Sequence, residues 1–216
     1  MGDILKLIIR KFDFTSSLLD VFFLRKFYLK PKGWLLSRSY YRPMTVHKKA
    51  LPWFTYPAIA FVSERINSQH DVFEFGSGNS TIFFSERVKS IVSVESDSSF
   101  FQSLQQTLVT RENVKYEFRE AEGGCFSGCI GESTKRFDIV IVDGADRINC
   151  AKNAVQALKS DGLIVWDNSE REEYKEGYEF LTKEGFKRLD FWGHGPIGYR
   201  EWCTSIFYRA ENCFGI

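Results

Sequence analysis

The residues best able to do chemistry in this chain are acids and glycines at the ends of short apolar runs. Glu74 precedes Gly76-Ser77-Gly78-Asn79-Ser80; Glu95 ends Ile91-Val92-Ser93-Val94; Asp143 follows Ile139-Val140-Ile141-Val142; Asp167 and Asn168 follow Leu163-Ile164-Val165-Trp166. Gly76 and Gly78 carry no Cβ, so the backbone there can approach a ligand closely. The Glu74 carboxylate beside them suits an ammonium group and repels a phosphate. That weighs against a nicotinamide dinucleotide, whose fingerprint also wants a third glycine where this chain has Thr81. Glu95 falls about twenty residues beyond the glycines, where a carboxylate can accept both hydroxyls of a ribose. Glu120, Ala121 and Glu122 follow the next apolar run and stand where an adenine edge would lie, with Ser96 adjoining the ribose position.

Asp143, Asp167 and Asn168 offer three hard oxygen ligands of the kind that hold Mg2+, and an ion there would lower the pKa of a bound hydroxyl. The competing reading is structural: Asp-Gly makes a turn and Asp-Asn-Ser caps a helix. His194, in the loop Gly193–Tyr199, and His47, in the connector before the regular part, are the candidate bases near neutral pH. Arg147 and Arg171 suit an anionic acceptor or a solvated helix face. Trp53 and Tyr56 suit a roof over the ligand or ordinary helix packing.

The elements that must position these groups follow from periodicity. Helices are expected over 53–66, 80–88, 98–109, 149–159 and 170–184, the second capped by Asn79 or Ser80. Strands are expected over 72–75, 91–94, 114–118, 137–142, 163–166, 186–192 and 203–209. Short β-branched runs alternating with helices imply an α/β, doubly wound, mostly parallel sheet of seven strands. Only a glycine-containing loop separates the last two strands, which predicts an antiparallel C-terminal hairpin. Such a finish separates this chain from nicotinamide-binding domains, and a nicotinamide-dependent oxidoreductase is the alternative it disfavours.

The series VFEFGSGNST, IVSVES, FDIVIVDGAD and GLIVWDNS resembles the motifs of class I S-adenosylmethionine-dependent methyltransferases over about residues 50–210. The resemblance implies that Glu74, Gly76, Ser77 and Gly78 line the methionine end of S-adenosylmethionine, with Ser80 as the third small residue. It places Glu95 on the ribose and Asp143 beside the transferring methyl. The Asp143, Asp167, Asn168 set is similar to the magnesium ligands of the catechol O-methyltransferase group. The chain departs from that group at Asp146, where a lysine is expected, so any base must differ. The implied activity is O-methylation of a small-molecule or glycan hydroxyl, with Asp143 and His194 as catalytic candidates.

Charge divides the chain. Residues 1–50 hold 11 Lys/Arg against 3 Asp/Glu, whereas the remainder holds 18 against 25. Residues 1–50 read as a basic amphipathic helical extension and connector, and 51–216 as the ligand-binding domain. The basic lead can meet an anionic membrane through residues 1–30, fold back on the acidic body, or anchor a non-catalytic nucleoside-binding protein. An acidic body without a basic stripe disfavours a nucleic-acid substrate. Five cysteines, an odd number, and the lack of a secretory leader favour reduced thiols in a cytoplasmic setting. Cys125 and Cys129 have no second pair to complete a metal site and read as ordinary loop thiols.

Overall fold

A computed structural model describes residues 16–216. The expected seven-stranded sheet is present: β1 (Asp71–Phe75), β2 (Ser90–Glu95), β3 (Val114–Phe118), β4 (Phe137–Val142), β5 (Leu158–Asp167), β6 (Lys187–Gly193) and β7 (Trp202–Tyr208). Their order is β3-β2-β1-β4-β5-β7-β6. The first five pair in parallel, and β7 runs antiparallel to both β5 and β6, so the predicted hairpin closes the sheet.

β1 and β4 are buried along their whole length because helices cover both faces of the sheet. On one face α3 (Tyr56–Ser63) and α4 (Asn79–Ser85) press Ile59, Val62 and Phe84 onto Val72, Ile139 and Val165. On the other, α7 (Arg147–Ala157) and α8 (Lys175–Lys183) press Ala151, Ala154 and Leu181 onto Phe73, Val140 and Trp166. Alternation along each strand explains the split, since neighbouring side chains point to opposite faces. α5 (Ser98–Leu108) starts with the Asp97 carboxylate accepting from the Phe100 N–H and buries Leu104 and Leu108.

Several boundaries differ from expectation. β5 begins at Leu158 instead of 163, because Leu158 pairs with Phe137 ahead of a register shift and the regular ladder with β4 resumes at Leu163. α4 is not capped by Asn79 or Ser80: its N-cap is Gly78, whose N–H donates to the Thr81 hydroxyl. The connector contains a helix, α2 (Trp34–Tyr40), and the cysteine-bearing loop contains the single turn α6 (Cys125–Gly128). All five thiols are free.

The predicted lead helix falls partly on residues 1–15, which lie outside the described residues. From residue 16 the chain is helical to residue 24, here α1, and continues as the wider π-turn Arg25–Leu29. Among the described residues no helix is long and apolar enough to cross a membrane.

Candidate functional site

The carboxyl ends of β1, β2, β4 and β5 open into one cleft, where α/β sheets take their ligands. One lobe, about 210 Å3, is lined by Ser77, Gly78, Asn79, Ser80 and Asp143, with Tyr41, Arg42, Pro43 and Trp53 across from them. The larger lobe, about 780 Å3, shares Trp53, Ser77, Phe100 and Asp143 and extends along Arg147, Asp167, Asn168 and Glu170 to Tyr199 and Trp202.

The turn after β1 is forced tight. Gly76 sits at φ +88°, and a Cβ there would stand 2.8 Å from the Asp143 carbonyl oxygen, so only glycine lets the β1 and β4 exits touch. Gly78 faces open space, its nearest neighbour being the Ser80 hydroxyl at 3.9 Å from a built Cβ. Glu74 is 1% exposed beneath this turn. Its Oε2 accepts from the Thr81 hydroxyl at 2.5 Å and the Ser93 hydroxyl at 2.7 Å, whereas its buried Oε1 has no partner. Burial raises the Glu74 pKa from 4.5 to about 7, against the pull of Ser80, Ser93 and Thr81. Thr81, read in the sequence as a missing glycine, is therefore the residue that orients this carboxylate.

Glu95 is held differently. Its Oε1 accepts from the Ser96 and Asp97 N–H groups at 2.7 and 2.9 Å, and its Oε2 accepts from the N–H and hydroxyl of Ser77 at 3.1 and 2.7 Å. The Ser77 hydroxyl also meets the Tyr116 phenol at 2.8 Å. A diol approaching Glu95 thus competes with a serine hydroxyl, a neutral partner that is easily displaced.

At the β4 and β5 exits Arg147 occupies the middle. Its guanidinium donates to Asp143 Oδ1 at 2.9 Å, to the Asp167 carbonyl at 2.5 Å and to Asn168 Oδ1 at 3.1 Å. Asp167 Oδ1 is committed to the Thr204 hydroxyl at 2.5 Å and the Trp202 indole at 3.0 Å. The expected Asp143, Asp167, Asn168 metal set does not fit this arrangement. The Arg147 guanidinium already bridges two of its oxygens, Asp143 Oδ1 and Asn168 Oδ1, and Asp167 Oδ1 is taken by Thr204 and Trp202. Burial pushes both carboxyls up, Asp167 further because it also faces the charge of Asp143. At Asp143 the strongest opposing influence is the Arg147 guanidinium.

The structure brings Glu74, Gly76, Ser77, Gly78, Ser80, Glu95 and Asp143 to one edge. It does not bring His194, whose ring is exposed and does not line the cleft while its carbonyl accepts from the Tyr56 N–H. His47 is likewise exposed in the connector. Glu120 and Ala121 are exposed beyond β3 and line neither lobe; Ser96 serves through its N–H. Trp53 lines both lobes, but Tyr56 is packed beneath them. Tyr41, Arg42 and Pro43 had no sequence signal; the Asn79 amide fixes them by donating to the Pro43 carbonyl at 2.6 Å.

Comparison with solved structures finds this architecture repeatedly. Precorrin-6y C5,15-methyltransferase of Geobacter metallireducens aligns with a TM-score of 0.58 at 15% identity, over 71% of this chain and 87% of that one. An rRNA methylase of Streptococcus thermophilus aligns with a TM-score of 0.55 at 12% identity, over 71% and 96%. Fibrillarin of Aeropyrum pernix, in complex with natively bound S-adenosyl-L-methionine, aligns with a TM-score of 0.53 at 17% identity, over 66% and 68%. The fold is that of the class I methyltransferases. No protein-family model matches the chain, and no curated protein matches it in sequence. One fold of this kind hosts many functions, so the function of this chain rests on the chemistry of its cleft.

Proposed function

We propose that the chain transfers a methyl group from S-adenosylmethionine to a hydroxyl of a small-molecule or glycan acceptor. The observation that carries this reading is the buried, unpartnered Glu74 Oε1 beside the glycine turn, a vacancy in hydrogen bonding that suits an ammonium. In this reading Glu74 holds the amino-acid end, Ser77 and Gly78 line the chain leading from it, and Glu95 takes the ribose hydroxyls from Ser77. When bound, S-adenosylmethionine supplies a methyl on a sulfonium, whose C–S bond breaks as the C–O bond forms, leaving the electron pair on sulfur. Asp143 accepts the hydroxyl proton, and Arg147 fixes its orientation. Trp53 and Tyr199 border the lobe and align the acceptor; positioning of this kind supplies roughly 7–11 kcal/mol of barrier reduction.

The lobe beyond Asp143 mixes Glu170 and Glu201 with Arg171 and Arg200, which supports a compact polar acceptor and not a polyanion. Titration calorimetry with S-adenosylhomocysteine and with NAD tests the reading. Binding of the nucleoside, undiminished in EDTA, is expected; binding of NAD alone would replace it with an oxidoreductase.

A further inference from the structure

α1 and the π-turn after it present apolar side chains to solvent on consecutive positions. Val21, Phe22, Phe23 and Leu24 are each about half exposed or more, at 62%, 50%, 48% and 53%, and Phe27 is 65% exposed. At about 100° per residue Leu18, Leu19, Val21, Phe22 and Phe23 cover a broad arc of α1, and Ser16, Ser17 and Asp20 share the remaining one, so the helix carries one wide apolar face. A wide apolar face with cations beside it suits the boundary of a bilayer, where such a helix lies in the interface plane. The charges sit at one end. Arg25, Lys26 and Lys30 wall a hollow of about 340 Å3 with Phe22 and Leu35, and the Lys26 ammonium lies 5.1 Å from the Phe27 ring centre. Residues 16–49 hold eight Lys/Arg and one acid, Asp20. That density of positive charge repels a second copy of itself and attracts an anionic surface.

We propose that α1 and Arg25–Lys30 dock on an anionic lipid bilayer, the aromatic and aliphatic side chains entering the acyl boundary and the cations lying among lipid phosphates. The placement has a consequence for the cleft. α2 joins this surface to the loop before β7: the Trp34 indole donates to the Gly198 carbonyl at 3.2 Å, and Arg38 donates to the Ile197 carbonyl at 3.2 Å. Tyr41 and Arg42, a few residues further, line the cleft. Docking therefore sets the cleft mouth close to the lipid surface. The docking surface is independent of what the cleft transfers and is tested without any assay of it.

The experiment is sedimentation of the full chain with phosphatidylcholine vesicles, with and without about one third phosphatidylserine. Binding is expected to the anionic vesicles alone and to fade as salt screens the charges. Phe22→Ser, Phe23→Ser and Phe27→Ser together should weaken partition by at least about tenfold. Arg25→Ser, Lys26→Ser and Lys30→Ser together should weaken it by about fivefold per cation removed. Both variants should keep the parent's melting temperature, which shows that they fold. Absence of binding, or equal binding to neutral vesicles, overturns the proposal. So does a concentration-dependent dimer in sedimentation velocity that the phenylalanine variant abolishes, which would assign the surface to a second copy.

Discussion

Acids stand at both edges of the same sheet, and they are treated in opposite ways. At the amino edge Asp71 opens β1 and Asp138 lies near the start of β4. Lys159 reaches Asp138 at 2.7 Å and Asp71 at 3.4 Å, Lys89 adds a second cation at 3.4 Å, and the Ser90 hydroxyl donates to Asp71 at 2.7 Å. Burial alone would push Asp71 up; Ser90, Lys89 and Lys159 together pull its pKa below the ordinary value. Three residues along the same strand, Glu74 has hydroxyl partners and no cation within bonding distance, and its pKa rises to about 7. Asp143 and Asp167 are raised as well, with Arg147 shared between their strand ends. The amino edge is neutralised from within. The carboxyl edge gathers Glu74, Glu95, Asp143 and Asp167 around one guanidinium, Arg147, and leaves Glu74 without a cation, so in the proposed reading the ammonium of the ligand would supply it.

The sharpest break of this comparison is Glu74→Gln. It removes a charge that only a cationic ligand offsets, so S-adenosylhomocysteine affinity should fall by about 100-fold, or ~2.7 kcal/mol, while the ligand-free protein melts no lower than the parent. The pH dependence fixes the sign. Glu74 has a folded pKa above its ordinary 4.5, so its contribution to stability is full below 4.5 and is lost as pH rises toward about 7. The melting advantage of Glu74→Gln over the parent should therefore grow across that window and level off above it. Nucleoside affinity of the parent should rise over the same window and stay flat in the variant. A variant that melts lower at every pH would mean that Glu74 is a structural acid like Asp71.

Lys159→Ala is the counterpart at the other edge. It strips two buried carboxylates of their shared cation, and Lys159 is itself partly exposed, so a loss of about 1–3 kcal/mol in denaturant unfolding is expected. Nucleoside affinity in calorimetry should not change. Because Asp71 has a lowered pKa, the stability it contributes is present above its ordinary value of 3.8 and disappears on acidification, the reverse of Glu74. Loss of nucleoside binding in Lys159→Ala would show that the two edges are coupled.

The sequence made the sheet legible because β1, β2 and β4 are dense in Val, Ile and Phe, and such runs between helices admit few other arrangements. It also marked the acids of both strand-end clusters at the carboxyl edge. What it hid depends on how the elements pack. Asp143, Asp167 and Asn168 read as metal ligands because residue type and spacing do not say that Arg147, one helical turn beyond Asp143, also reaches Asp167 and Asn168 on the next strand. Thr81 read as a flaw in a glycine motif, since its bond to Glu74 exists only once α4 packs on β1. His194 read as a base from its residue type alone, and the loop that carries it turns the ring to solvent. The strand-end Asp71 and Glu74 look alike as letters; only the position of Lys159, 88 residues beyond Asp71, separates them.

Ser77→Ala probes the comparison most gently. Its hydroxyl is the neutral group that now occupies Glu95 Oε2 and binds Tyr116. Deleting it removes one hydrogen bond to the buried Glu95 and one to the half-buried Tyr116, so stability should drop by about 0.5–1.5 kcal/mol in urea unfolding. The Ser77 N–H still supports Glu95, and the freed oxygen no longer has to exchange a serine for a ribose hydroxyl. Nucleoside affinity should therefore hold or improve severalfold while stability falls. If Glu95 were instead a structural acid satisfied by Ser77, as Asp71 is by Ser90, the two quantities would fall together. That outcome would move Glu95 to the neutralised class and leave Glu74 as the acid reserved for a ligand at this edge of the sheet.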